Sequence, residues 1–165
     1  MAPSKSDPVP KTGLDLDSVA ALIHMGRRYL LQHRENRDGV AYPNCWGLFG
    51  GACEPGESAA DALHREMLEE LGLEVAAYKP LMTCVYDLWF ERRRTRKAFF
   101  TIELSERQAA KLVLNEGQGM AWLSLDEVLV RTSSFVPYDL AVIVLHHRGI
   151  ARAGTRGRLD TPAAG

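Results

Sequence analysis

Three glutamates, Glu66, Glu69 and Glu70, stand at the spacing of one helix face, and a glycine-rich stretch from Gly50 to Glu57 precedes them. Side chains three and four apart on a helix are neighbours, so these carboxylates repel one another unless a cation neutralises them. Hard divalent cations suit that role, because magnesium and manganese prefer carboxylate and carbonyl oxygens. Glu57, at the end of the glycine stretch, can reach the same cluster, and Arg65 can bridge two of the carboxylates with its planar fork. Glutamates at this spacing more often form a solvated acidic face. Here the glycines, the acids and the arginine occur together, and that favours the chemical reading.

The elements that must hold these groups are legible nearby. Gly50, Gly51 and Gly56 let the backbone turn tightly and approach a ligand, and Pro55-Gly56 marks a turn. Ser58 is the expected N-cap of a helix from Ala59 to Leu71, with Gly72 as its stop. Leu63, Met67 and Leu71 repeat every four residues on a neighbouring face, which anchors the helix on a core.

Gly51, five residues, Glu57, seven residues, Arg65-Glu66, the apolar Met67, one residue, Glu69-Glu70, one residue, Gly72 and the apolar Leu73 form one continuous pattern. In this the chain resembles the Nudix hydrolases, matching their signature box at every defined position. The resemblance implies an α/β fold, a Nudix-type α/β/α sandwich with a mixed β-sheet. It also implies a loop-helix-loop that binds a divalent metal, Mg2+ or Mn2+, on a diphosphate. Glu66 and Glu70 are then metal ligands, and Glu69 is either a third ligand or the base that activates water. The Gly50 carbonyl is a further ligand, while Gly51, Glu57 and Arg65 support the cluster, Arg65 counting with the catalytic set. Members often carry proline before the paired glycines, where this chain has Phe49; that alters the loop or pocket wall and leaves the metal chemistry intact.

A glutamate in a loop after the box completes the metal site or acts as base in many such hydrolases. Glu116, in Asn115-Glu116-Gly117-Gln118-Gly119, is the best-placed candidate, ahead of Glu103. The implied reaction is attack of an activated water on one phosphorus of a small-molecule nucleotide. The favoured substrate is a nucleoside triphosphate, modified bases included, giving a monophosphate and pyrophosphate. Nucleotide sugars or other nucleoside diphosphate derivatives are the alternative. Further rivals are a ligand-sensing module without chemistry and an isomerase, but the box is undamaged and no protonating cysteine or tyrosine stands out. For base stacking, Trp89, Phe90, Phe135 and Tyr138 lead a set that also includes Trp46, Phe49 and Tyr86. The family resemblance also implies a homodimer as a common assembly.

The whole chain of 165 residues is long enough for one domain with a core and short for two. A net charge of -1 gives no field that calls for nucleic acid or a membrane. Cys45, Cys53 and Cys84 show no paired spacing and read as free thiols of a reducing, cytoplasmic compartment. Residues 1–14 read as a disordered leader without a signal peptide, 15–148 as the domain and 149–165 as a loose tail. Within the domain, Ser18 to Met25 and Arg28 to His33 read as paired strands. Strand is also expected at 74–77, at 81–91 bent near Pro80, at 97–104 and at 120–123. Helices are expected at 105–112, after Ser124, and over 138–147. The basic run Arg92 to Lys97 reads as a solvated hairpin tip, and His24 as a satisfied structural histidine.

Overall fold

Strands β1 (Ser18–Met25) and β2 (Arg28–His33) form the predicted hairpin, turning at Gly26 with φ 58°. Residues Val19 to Ile23 are all fully buried, so β1 is covered on both faces, as a central strand must be. The computed structural model describes residues 16–88 and 93–156. The expected leader, Trp89, Phe90, Arg92 and the end of the expected tail lie outside the described residues.

After β2 come β3 (Trp46–Gly47), α1 (Ala59–Leu71), β4 (Lys79–Leu88), β5 (Arg93–Glu103), α2 (Glu106–Ala109), β6 (Gly119–Ser124), α3 (Leu125–Leu129) and α4 (Pro137–Arg156). The sheet runs β3-β2-β1-β5-β4, with β6 along β2. Strands β1 and β5 pair in parallel and the other strand pairs among the described residues are antiparallel, so the sheet is mixed, and the crossover between β1 and β5 carries α1. One core packs the sheet against α1 through Ile23, Leu30, Leu63, Met67, Leu71 and Phe100. The other packs the opposite face against α3 and α4 through Leu22, Tyr29, Leu31, Val128, Val142 and Ile143. This is the expected α/β/α sandwich. No helix among the described residues is long and apolar enough to cross a membrane.

The departures have local causes. Residues 74–77 are irregular instead of strand, because Leu73 and Val75 are spent docking the end of α1 onto its core. The bend falls where expected, as a register shift between Pro80 and Met82, where proline lacks an N–H for the ladder. The helix expected over 105–112 shrinks to α2, capped by a reciprocal Ser105–Gln108 box, since Leu112 and Leu114 turn back onto the core. Helix α4 continues past 147 to Arg156. Arg93 to Lys97 lie inside β5 and not at a hairpin tip. Arg94 pairs with Asp87, and Lys97, largely buried, reaches Asp139 at 3.4 Å. His24 packs its ring 4.8 Å from that of His146, and its buried Nδ1 has no hydrogen-bond partner among the described residues, so this histidine is not satisfied.

Candidate active site

Helix α1 begins where Ser58 accepts a hydrogen bond from the Asp61 N–H and ends at Gly72 in the left-handed conformation, φ 60°. Leu63, Met67 and Leu71 are fully buried, each burial contributing about 1.5–3 kcal/mol. With that face fixed, Glu66 and Glu70 are turned toward the glycine loop. The loop is itself pinned along β1, the Ala21 N–H donating to the Phe49 carbonyl and the Val19 N–H to the Gly51 carbonyl. Two glycines are required here for different reasons. At Gly50, φ is 131° and a Cβ would meet the Val19 carbonyl oxygen at 2.4 Å. At Gly51, a Cβ would fall 2.4–2.6 Å from the Glu66 carboxylate.

Arg65 holds the acids in place. It binds both oxygens of Glu57 at 2.9 and 3.0 Å, Glu66 at 2.7 Å and Glu69 at 3.2 Å, and donates to the Ala52 carbonyl at 2.9 Å. These bonds hold the Glu57 carboxyl below the usual range. Glu70 is only 5% exposed; its Oε2 accepts the Gly50 N–H at 2.7 Å and its Oε1 accepts the Gln32 amide at 3.2 Å. Burial first, then the like charges of Glu66 and Glu116, push its pKa up to about 7. Burial, opposed by Arg65, also raises Glu66, with Glu69 and Glu116 adding to the rise.

The loop carrying Glu116 is tied back to α1: Asn115 donates from its backbone N–H to the Glu70 carbonyl and from its side chain to the Glu69 carbonyl, both at 2.9 Å. Glu116 thereby joins Glu66, Glu70, Gly50 and Gly51 around one pocket. Glu69 does not line it; its side chain is 55% exposed on the outer side of Arg65. Gln32, Arg34, Glu35, Arg37 and Val40 also line the pocket and escaped sequence reasoning. The available signal was weak, a glutamine next to last in a strand with an apolar middle and charged residues in a polar loop.

In their present rotamers no three carboxylates converge at coordination distance among the described residues. Arg65, Gly50 and Gln32 draw them apart. The donor chemistry nevertheless fits a hard divalent cation. Glu66, Glu70 and Glu116 are oxygen donors on one pocket, and Glu66 and Glu70 are raised in pKa by burial first and by neighbouring carboxylates second. A cation drawing on Glu66, Glu70 and the Gly50 backbone would offset both effects, with Glu69 reaching it only by leaving Arg65.

Of the expected stacking residues, Phe135 is 3% exposed and belongs to the core, so its ring supports the sheet and does not face a ligand. Tyr138 stacks on Tyr86 with centroids 3.7 Å apart, and Tyr42 meets it edge-on at 6.4 Å. Tyr42 sits at φ 53°, a conformation uncommon for a bulky residue. Burial pushes its hydroxyl up to about 12 and raises that of Tyr86 as well, so both rings stay neutral. Beside them Asp139, 1% exposed, accepts from the Leu48 N–H at 2.9 Å.

Residues 15–141 match the family model for the NUDIX domain. In sequence the chain is similar to a nucleoside triphosphatase NudI of Enterobacter sp. (strain 638), 45% identical over 64 residues, covering 38% of this chain and 45% of that protein. The chain thus spans less than half the length of that relative. In structure it is similar to a MutT protein from Methanosarcina mazei Go1, with TM-score 0.67, 22% identity, and coverage of 83% of this chain and 98% of that one. A NUDIX hydrolase from Nitrosomonas europaea gives TM-score 0.67 at 24% identity, covering 82% and 90%. At these identities the structural likeness speaks to the fold.

Proposed function

This chain belongs to the NUDIX family, and from that premise we propose that it is a metal-dependent hydrolase that splits a nucleoside triphosphate into a monophosphate and pyrophosphate. The observation that carries the reading is the composition of one pocket, where Glu66, Glu70 and Glu116 are joined by Arg34 and by the ion pair of Arg37 with Glu35. Carboxylates alone would repel a polyphosphate, and arginines alone would bind it without chemistry. Together they suit a cation–polyphosphate complex. The nucleoside triphosphatase relative supports the triphosphate class.

Glu66 and Glu70, with the Gly50 carbonyl, would hold Mg2+ or Mn2+. Such a cation, when bound, neutralises diphosphate charge and makes water easier to deprotonate. Arg34 and Arg37 take phosphate oxygens, and Arg65 keeps Glu57 and Glu66 in register. Glu116 accepts the proton of the attacking water as general base. It is preferred to Glu69 because it lines the pocket, whereas Glu69 is exposed and engaged by Arg65. Tyr138, with Tyr86 and Tyr42, stacks on the base.

The test is a chromatographic screen of purified protein with Mg2+ against nucleoside triphosphates (damaged bases included), nucleotide sugars, ADP-ribose and dinucleoside polyphosphates. Pyrophosphate release from a triphosphate, lost on chelation, is expected. Preferential cleavage of a nucleotide sugar would overturn the triphosphate assignment. Metal-dependent binding without turnover of any compound would replace hydrolysis by ligand sensing.

A further inference from the structure

Strand β2 reads Arg-Tyr-Leu-Leu-Gln-His, and its fifth residue, Gln32, is only 5% exposed. Side chains two apart on a strand share a face, so Gln32 points with Leu30 toward α1. A primary amide in such a place costs stability unless its hydrogen bonds are made. Both N–H groups of the Gln32 amide have an acceptor. One is the Glu70 Oε1 at 3.2 Å and the other is the Glu116 carbonyl at 3.3 Å.

The glutamine is also a physical floor for the Glu116 loop. Gly117 adopts φ 91°, and a Cβ there would come within 3.0 Å of Gln32 Cγ and 3.2 Å of its amide nitrogen. The flanks of the loop are tied elsewhere, Asn115 to the carbonyls of Glu69 and Glu70, and Gln118 to the His33 carbonyl. Between those ties, the peptide that carries Glu116 rests on Gln32. One side chain therefore sets the spacing of two acids that are 46 residues apart in sequence and come from different elements.

We propose that Gln32 is a positioning residue that fixes Glu70, the cation ligand, relative to the loop of Glu116, the base, so that both stand in place when a divalent cation binds. This rests on the reading of Glu70 and Glu116 given above. Gln32→Met keeps the volume and removes both hydrogen bonds. In substrate-free protein, Mn2+ binding followed by electron paramagnetic resonance is expected to weaken about tenfold, the usual cost of losing a group that orients a ligand. In chelated protein, amide exchange at Gly117 and Gln118 is expected to quicken. In turnover, kcat should fall with KM for the nucleotide little changed.

A purely structural role would lower the melting temperature and leave Mn2+ affinity and kcat of the folded protein as they were; that result overturns the proposal. Wild-type protein that binds Mn2+ and turns over, with Gln32→Met matching it, overturns the Gln32 assignment alone. Wild-type protein that neither binds Mn2+ nor turns over overturns the hydrolase reading and this one with it. If Gln32→Met does not fold, Gln32→Asn, whose amide is one methylene too short to reach both acceptors, is read by the same outcomes.

Discussion

On the α1 face of the sheet, Glu66, Glu70 and Glu116 crowd like charges around a pocket; on the α4 face, His24, His146 and His147 gather around the Tyr29 hydroxyl. Burial acts on members of both groups and in opposite directions, raising Glu66 and Glu70 and lowering His146 and His147. The donors differ too. The Glu66 carboxylate meets Arg65, the Glu70 carboxylate meets the Gly50 N–H and Gln32, and both still line the pocket. The Nδ1 atoms of His146 and His147 meet the Tyr29 hydroxyl at 3.4 and 3.3 Å, Arg27 meets the His147 Nε2, and the His24 Nδ1 has no partner among the described residues. Under the proposed function the first cluster would be charged beside a cation, while the second packs best when neutral. What sets the two apart is the pocket onto which the acids open, and not the count of titratable groups.

Glu70→Gln tests that distinction most severely. Turnover should fall by more than about 100-fold, while the chelated protein becomes more stable at pH 8. The Glu70 pKa is raised from 4.5 to about 7 in the folded state. Its contribution is therefore fully present below about pH 4.5 and lost as pH rises through 7, at most roughly 3 kcal/mol. Thermal melts in chelator from pH 5 to 8 should show this decline in wild type and not in the variant. A destabilised Glu70→Gln at pH 8 would mean that the carboxylate serves packing, as the histidines do.

Arg65→Ala should lose both properties together. It removes a guanidinium whose side chain is only 24% exposed and leaves Glu57 and Glu66 without their partner. A stability loss of about 1–3 kcal/mol is expected, read from urea melts, with activity falling alongside. Arg65→Lys should not restore either, since an ammonium cannot span Glu57, Glu66 and the Ala52 carbonyl with a fixed fork. Smaller again is the effect of Mg2+ on wild-type stability. It should raise the melting temperature more at pH 8 than at pH 6, because at the lower pH the cation must first displace the Glu70 proton. In Glu70→Gln this pH dependence should vanish.

The two clusters were not equally legible in the sequence. The box announces itself because its helix is local: Ser58, the Leu63–Met67–Leu71 stripe and Gly72 fix α1, and Arg65 lies on the same turn as the acids it holds. The place of Glu116 on the pocket is legible only through the family resemblance, as the tie of its loop to α1 through Asn115 is not a local pattern. Gln32, with Arg34 and Arg37 in the loop after it, reaches the pocket because the end of β2 pairs with β3, which leads into the glycine loop, and pairing across such distances leaves no periodicity to read. Phe135 looked like a stacking ring because composition cannot tell a buried aromatic from a cleft-lining one, and the ring in contact with Tyr138 is Tyr86 instead. The histidine cluster joins β1 to the second half of α4, a helix longer than its apolar pattern suggested.

The mildest test concerns that cluster. His146 is lowered by burial, then by His24 and His147, against the pull of Glu103; His147 is lowered by burial and Arg27 against Asp126. A histidine whose folded pKa is depressed contributes stability above its ordinary pKa of about 6.5, lost as pH falls through the folded value. Wild-type protein should therefore melt progressively lower from pH 7 to pH 5 on this account, opposite to the Glu70 slope. His146→Phe keeps a ring against His24 and Tyr29 and should flatten the acid limb by a few degrees, leaving turnover within about twofold. If it instead depressed turnover as Glu70→Gln does, the two faces would be coupled through the sheet, and the α4 cluster would have to be counted with the site.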